Sequence, residues 1–148
     1  MKNSCLHLQD VLHTEIPLTK AMNISVAGYD GKELILAAPI RPNINHKCSA
    51  FGGSLYSVAV LSGWGLIYLK LMEQQISGHI VIFNSDISYH HPVDRDFQVS
   101  CRMPEATDFD RFLDMFHKKG KSRINLQSQI FKDKKIAVTF NGNYVVHT

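Results

Sequence analysis

Apolar positions near the start of the chain follow a helical period and then change to a period of two. Residues 4–20 carry leucine and valine on one side, which predicts a short amphipathic N-terminal helix. Two runs with a period of two, residues 22–29 and 33–40, predict strands. Asp30-Gly31 lies between them and predicts a hairpin, because both residue types tolerate a positive φ.

The middle of the chain is a long stretch without charge. No Asp, Glu, Lys or Arg stands between Lys47 and Lys70. The twenty-two uncharged residues 48–69 could span a bilayer, and a long apolar helix is predicted from about residue 54 to 75. Its glycines and serines, and the strands predicted on both sides, favour a buried core helix instead. We therefore expect no membrane span.

Beyond this helix the period of two returns. Strands are predicted over residues 80–90, 97–103, 124–130 and 136–140, with a helical excursion over 105–119. The most economical packing is an α+β domain in which one antiparallel sheet of about six strands wraps around the long helix. The chain of 148 residues has the usual size of one domain, so we take 1–148 as a single domain.

Assembly follows from the same pattern. A helix that is apolar on all sides must be surrounded, and one sheet covers only one side of it. The other side needs a second copy of the chain or the terminal helix. We expect a homodimer, or a dimer of dimers.

Charge excludes few classes of protein. The net charge is +3, with basic residues scattered except for the cluster Lys118, Lys119, Lys121 and Arg123. This cluster is either a solvated surface or a site for an anionic ligand or an acidic carrier protein. Nucleic acid would require a longer basic stripe with interleaved aromatic residues, so we expect no nucleic-acid partner.

Cysteine usage indicates a reducing compartment. Cys5, Cys48 and Cys101 are odd in number and have no CxxC spacing, so a disulfide framework is not expected. The N-terminus lacks a basic region followed by an apolar core, which argues against a secretory signal. Both features favour a cytoplasmic protein.

The loop that enters the long helix carries the most informative chemistry. Gly52 and Gly53 stand directly before the helix and let backbone approach a ligand closely. The first N–H groups of a helix are unpaired and lie at the positive end of its dipole, where they can hold a thioester oxygen. The alternative is a tight turn only, with Ser54 as the N-cap.

A family resemblance becomes specific at this loop. The run NHKCSAFGGSLYSVAVLSGWGLIYLKL, followed by SDISYHHPV, resembles the thioesterase domain at the C-terminus of YiiD-type proteins, a member of the hotdog superfamily. The resemblance covers essentially the whole chain. It implies dimers whose sheets join edge to edge, with acyl-CoA or acyl-carrier-protein thioesters bound at the interface. It also implies a cytoplasmic setting and a role in fatty acid metabolism.

One departure from the wider hotdog thioesterases affects the mechanism. Many of them carry an Asn before a Gly-Gly and a carboxylate within the helix. Asn45, Gly52 and Gly53 resemble the first part, but Val60 stands about where the carboxylate is expected. No acid occurs on the helix before Glu73. This departure puts the usual activation of water in doubt and weakens a dehydratase interpretation.

Asp86 is the candidate that replaces the missing carboxylate. Strand alternation places it on one face with Asn84 and Ser88. A buried carboxylate there could accept a proton from water, while Asn45 positions the water or the thioester oxygen. The alternative for Asp86 is a structural hydrogen-bonding role.

The remaining candidates bind substrate or ions. His46, Phe51, Gly52, Gly53 and Ser54 are the predicted substrate-binding residues. His90 and His91 point to opposite faces of a strand and cannot easily share an ion, so we expect no metal and no cofactor. Cys48 could be a nucleophile, but no base is evident near it in the sequence.

Three functions remain open at this point. The favoured one is hydrolysis of an acyl thioester by direct attack of water. A non-catalytic module that binds acyl thioesters and a hotdog dehydratase are the alternatives.

Overall fold

Four α-helices and six strands make up most of the chain in the computed structural model, which describes residues 1–148. The helices are α1 (Lys2–Glu15), α2 (Pro17–Ala21), α3 (Gly52–Glu73) and α4 (Ala106–Lys119). The strands are β1 (Ser25–Tyr29), β2 (Glu33–Ala38), β3 (His79–Tyr89), β4 (Phe97–Arg102), β5 (Lys121–Lys132) and β6 (Lys135–His147). They form one sheet in the order β1-β2-β4-β5-β6-β3, with every neighbouring pair antiparallel.

The sheet wraps around α3, which is the hotdog arrangement predicted from the sequence. Side chains of β4 and β5 alternate between buried and exposed positions, so one face of the sheet is solvated and the other packs on the helix. Although α3 is long and apolar enough to cross a membrane by composition, 61% of its most apolar window is buried inside the protein. It is the core helix of the fold.

Close packing fixes α3 against β5 and β6. The Tyr144 hydroxyl of β6 donates to the carbonyl of Val60, and a Cβ at Gly63 would overlap that hydroxyl. Ser62 of α3 and Ser128 of β5 share a hydrogen bond of 2.7 Å between their hydroxyls. These buried contacts satisfy the polar groups and set the depth at which the helix lies in the sheet.

The N-terminal segment is two helices rather than the single predicted one. α1 ends at Glu15, and Ile16 has φ −127° and ψ 81° before α2 begins at Pro17. The proline ring disfavours the helical conformation in the residue before it, so the chain bends at Ile16.

The last two strands are longer than the apolar pattern predicted. β5 and β6 pair with each other from Lys121↔His147 to Lys132↔Lys135, with one irregularity. The apolar pattern stops where polar residues such as Asn141 and Asn143 occupy the solvated face of β6. These residues still belong to the strand, and their side chains accept hydrogen bonds from Asn125 of β5.

A bulge in β3 changes which side chains face the helix. The register with β6 shifts between Ile82 and Asn84, so Phe83 is an extra residue. An unbroken alternation would put Asn84 on the same face as Ile80 and Ile82, and the bulge turns it to the other face. After the bulge, half-buried Ser85 faces α3, and Asn84 is exposed on the outer face.

The two outer strands of the sheet differ in how they are covered. α1 packs on β1, and the N–H of Val26 in β1 donates to the Gln9 side chain of α1 at 3.0 Å. β3 runs for 11 residues with no strand on its outer side. The Trp64 indole of α3 donates to the carbonyl of Ile80 at 3.2 Å near one end of β3. A long open edge of this kind usually requires cover.

Candidate active site

The helix α3 begins at Gly52, two residues earlier than predicted. The Phe51 carbonyl accepts hydrogen bonds from the N–H groups of Ser54 and Leu55, so Phe51 is the N-cap and Ser54 is not. Gly52 and Gly53 are therefore the first two residues of the helix rather than the end of the loop. Their N–H groups donate to no acceptor in the chain, and they lie at the positive end of the helix dipole.

Aromatic rings lie on both sides of these two glycines. The Tyr89 hydroxyl donates to the Gly52 carbonyl at 2.9 Å, and a Cβ at Gly52 would contact the Tyr89 ring at 3.5 Å. The Phe51 ring lies so close to Gly53 that a side chain there would displace it. Because Phe51 is 58% exposed, its ring has room to move. The free N–H groups are thus framed by two rings and open to a ligand.

Asn45 holds the shape of the entering loop. Its side-chain oxygen accepts from the N–H groups of Lys47 and Ser49 at 2.8 and 3.1 Å, and its amide nitrogen donates to the Ser49 hydroxyl at 3.0 Å. Its backbone N–H donates to the Ser49 carbonyl at 2.8 Å. The Asn45 side chain is therefore occupied within its own loop and does not reach across to β3.

Asp86 lies on the outer face of the sheet. Its neighbour Ser85 faces α3, and alternation turns the exposed Asp86 away from the helix. Asp86 makes no ion pair. Within one chain the structure does not bring Asn45 and Asp86 together, and the burial expected for a proton-accepting Asp86 is not found. The catalytic assignment of both residues is therefore untested, and the outward position of Asp86 argues against a part in the chemistry.

The other predicted residues surround the loop. His46 is exposed at the tip of the loop, and half-buried Ser54 lies in the first turn of α3. Cys48 is exposed, with a positive φ of 60°. The His90 ring bonds the Thr139 hydroxyl at 3.1 Å, and His91 is exposed. No three His, Cys, Asp or Glu side chains are grouped as metal ligands would be.

Sequence reasoning missed three hydroxyl groups near the start of α3. The Tyr56 hydroxyl, from the second turn, shares a hydrogen bond of 2.6 Å with the Ser85 hydroxyl of β3. The third hydroxyl belongs to Tyr89. Its partial burial raises the pKa of Tyr89 above the usual value, and the nearby Tyr56 adds a smaller effect in the same direction. The Tyr89 phenol therefore stays protonated and acts as a donor. Both tyrosines lie within the motifs FGGSLYS and SDISYHH, so the motifs contained the signal.

The one acid of α3 serves the opposite end of the helix. Glu73 accepts from the Tyr29 hydroxyl and pairs with Lys70 at 2.8 Å. Burial and the Glu73 carboxylate raise the pKa of Tyr29. A helix of 22 residues is about 33 Å long, so Glu73 lies far from Gly52 in the same chain.

The larger cavities of the single chain also lie elsewhere. One of about 790 Å³ is lined by residues of β2 and β4, and another of about 740 Å³ lies between α4 and β5. Neither shares a residue with the start of α3. The candidate site is an open surface of one chain rather than an enclosed pocket.

The sheet wrapped around α3 is the hotdog fold, and the family that matches this chain is one of thioesterases, hydrolases that act on thioesters. The family described as Putative thioesterase (yiiD_Cterm) matches residues 5–148. The chain belongs to this family.

Solved structures agree with this assignment. A protein of unknown function from Chlorobaculum tepidum TLS is 36% identical, with a TM-score of 0.95, and 97% of this chain and 94% of that one are covered. A putative thioesterase from Shewanella oneidensis is 30% identical, with a TM-score of 0.87 and complete coverage of both chains. A thioesterase from Haemophilus influenzae has the same fold, with a TM-score of 0.74 at 12% identity, covering 96% of this chain and 89% of that one.

Proposed function

We propose that the chain hydrolyses acyl thioesters by direct attack of water, with the oxyanion held at the start of α3. The observation that carries this proposal is the pair of free N–H groups at Gly52 and Gly53, which face no acceptor of their own chain. Preorganised donors of this kind stabilise the charge that develops on the carbonyl oxygen. Phe51, Ser54 and His46 line the approach and contact the thioester.

The chemical step needs no covalent intermediate on the protein. The oxygen of water forms a bond to the carbonyl carbon, and the carbonyl electron pair moves to the oxygen held by Gly52 and Gly53. Collapse of this adduct breaks the C–S bond, and the leaving sulfur takes up the proton that water loses. In this proposal the Tyr56 and Ser85 hydroxyls, which share a hydrogen bond of 2.6 Å, orient the water. Asn45 acts by shaping the loop that presents Gly52.

Asp86→Asn tests the proton-accepting role assigned from the sequence. Because Asp86 is exposed on the outer face, we expect kcat/KM to stay within about threefold of wild type and the melting temperature to be unchanged. Steady-state hydrolysis and thermal unfolding give both quantities. A fall of about 10²–10⁴ in kcat/KM in a folded variant would identify Asp86 as the general base instead.

The carrier of the acyl group is coenzyme A or an acyl carrier protein, in the cytoplasm and within fatty acid metabolism. The cationic cluster of Lys118, Lys119, Lys121 and Arg123 supports an anionic carrier, because none of these residues pairs with a carboxylate. In the sheet, Lys121 of β5 lies opposite His147 of β6, and His147 lies opposite His79 at the start of β3. If two β3 edges pair antiparallel, the start of one β3 lies beside the end of the other. The end of the sheet that carries the cluster then lies beside the end of the partner's β3.

A homodimer joined through β3 is the assembly that we expect. β3 offers 11 residues of open edge, and pairing two such edges would satisfy the outward backbone groups. Light scattering at micromolar concentration should give at least twice the chain mass of 16.7 kDa. A monomer over the whole concentration range would contradict both this assembly and a site completed by the partner.

A panel of acyl-CoA and acyl-carrier-protein thioesters, followed by release of free thiol, tests the proposed function. Thiol release with carboxylic acid as the second product is the expected result. Binding without turnover for every thioester would identify a binding module, and an unsaturated thioester formed from a hydroxyacyl substrate would identify a dehydratase. Either of the last two results would overturn the proposal.

A further inference from the structure

One side of α3 is left partly open by the sheet, and it begins at the free N–H groups. Gly53, Ser57, Val60 and Trp64 follow one another at intervals of three or four residues, so they lie in one line along the helix. Gly53 is exposed and the other three are half-buried, whereas Val58, Ala59 and Leu66 on other sides of α3 are covered. We call these four residues the open stripe.

The open stripe ends at Trp64. Farther along the same side, Ile67 and Leu71 are 2% and 3% exposed, so the surface is closed there. The Trp64 ring is fixed from two directions, by its hydrogen bond to the Ile80 carbonyl and by stacking on Tyr68 at 5.4 Å between ring centroids. His7 of α1 packs on Tyr68 and bonds its hydroxyl at 3.0 Å. This stack of rings forms a rigid wall at the end of the stripe.

The distance from the free N–H groups to this wall sets the length of acyl chain that the open stripe can hold. The rise of an α-helix places Trp64 about 16 Å along the axis from Gly53. A helical side chain covers the turn on the N-terminal side of its own Cα, so the Trp64 ring shortens the open length to roughly 11 Å. With C–C bonds of about 1.5 Å, an extended chain advances about 1.25 Å per carbon, so an acyl chain of about eight to ten carbons occupies that length when its carbonyl lies at Gly53.

We propose that the open stripe binds the acyl chain and that Trp64 limits its length, so that the substrates are medium-chain acyl thioesters of about eight to ten carbons. This inference rests on the proposed function for the position of the carbonyl. Ser57 and Val60 are small enough to leave the stripe open, and the hydroxyl of Ser57 turns back to the Gly53 carbonyl at 2.8 Å. The stripe therefore presents mainly apolar surface to the chain. A second copy of the protein supplies the opposite wall.

Two substitutions change the length of the stripe in opposite directions. Val60→Phe fills its middle and should move the optimum to chains shorter by about four carbons. Trp64→Ala removes the wall and should move the optimum to longer chains. Met72→Ala is the matched control, since Met72 is a large apolar residue of α3 that lies off the stripe beyond the wall.

The experiment measures kcat/KM for straight-chain acyl-CoA substrates from four to sixteen carbons, with thermal unfolding of each variant. For the wild type, each methylene that contacts the stripe should raise kcat/KM about fourfold, corresponding to about 0.8 kcal/mol, until the wall is reached. Longer chains should show a plateau or a fall. The Met72→Ala profile should match the wild type.

Dissociation constants for non-hydrolysable S-alkyl-CoA thioethers of the same lengths separate this inference from the proposed function. If the thioethers bind best at eight to ten carbons but the acyl-CoA thioesters of the same length are not hydrolysed, the length limit would be supported and the hydrolase rejected. Hydrolysis or binding that rises steadily to sixteen carbons would overturn the length limit and leave the hydrolase standing. A profile unchanged in folded Val60→Phe would show that the stripe is only a packing seam. If Trp64→Ala fails to fold, Val60→Phe decides alone.

Discussion

Replacing Gly53 with valine is expected to lower kcat/KM for thioester hydrolysis by about 10²–10³, the usual cost of losing one oxyanion donor. The valine side chain would occupy the space beside the free N–H and push the Phe51 ring aside. Because that ring is more than half exposed, it can move without disturbing the core, so the melting temperature should change little. Steady-state kinetics and thermal unfolding on the same preparation measure both effects.

Gly28→Val is the matched control for this substitution. A Cβ at Gly28 in β1 would meet nothing within 4 Å. β1 is at the opposite edge of the sheet from β3, the strand whose Tyr89 contacts the start of α3. Its kinetics should equal those of the wild type. Normal kinetics in folded Gly53→Val would remove the start of α3 from the chemistry and leave the two glycines with a packing role.

The largest expected loss of stability comes from Gly63→Ala in the middle of α3. The added methyl group would overlap the Tyr144 hydroxyl, and Tyr144 is fully buried with its hydroxyl bonded to Val60. Overpacking of a closed core costs about 3 kcal/mol. For a chain of this size we expect the melting temperature to fall by roughly 6–12 °C, measured by thermal unfolding.

The double variant Gly63→Ala/Tyr144→Phe distinguishes overlap from loss of helix flexibility. Removing the hydroxyl relieves the closest contact, so part of the lost stability should return despite the lost hydrogen bond to Val60. Gly28→Ala should change stability by less than about 0.5 kcal/mol. A Gly63→Ala protein as stable as the wild type would mean that Tyr144 has another position available.

The arrangement of the fold could be predicted because its signals are local. The uncharged run between Lys47 and Lys70 predicts a core helix, and alternation in β4 predicts a sheet with one solvated face. The bend at Ile16 follows from Pro17 and was missed only because the apolar pattern continues across it. The bulge at Phe83 has no such signal, since apolar residues flank it on both phases of the alternation.

The candidate site was harder to predict, because it depends on which face each side chain takes. Gly52 and Gly53 could be found from the sequence, since free N–H groups belong to every helix start. Tyr56 and Ser85 are 29 positions apart, and only the register of β3 after its bulge brings their hydroxyls together. The same shift turns Asp86 to the outer face of the sheet. Without knowing the position of the bulge, the sequence alone does not reveal that this residue is exposed.

The stacked wall at the end of the open stripe has a practical consequence. Trp64 is the single tryptophan of the chain, and its indole lies in a stack with Tyr68 while its N–H is held by Ile80. When the light used for excitation is not absorbed by the tyrosines, the emission of the native protein therefore comes from one indole at one defined place. An acyl chain that reaches this ring replaces water beside it and shifts the emission, so the protein carries an intrinsic optical reporter of how deeply a ligand penetrates.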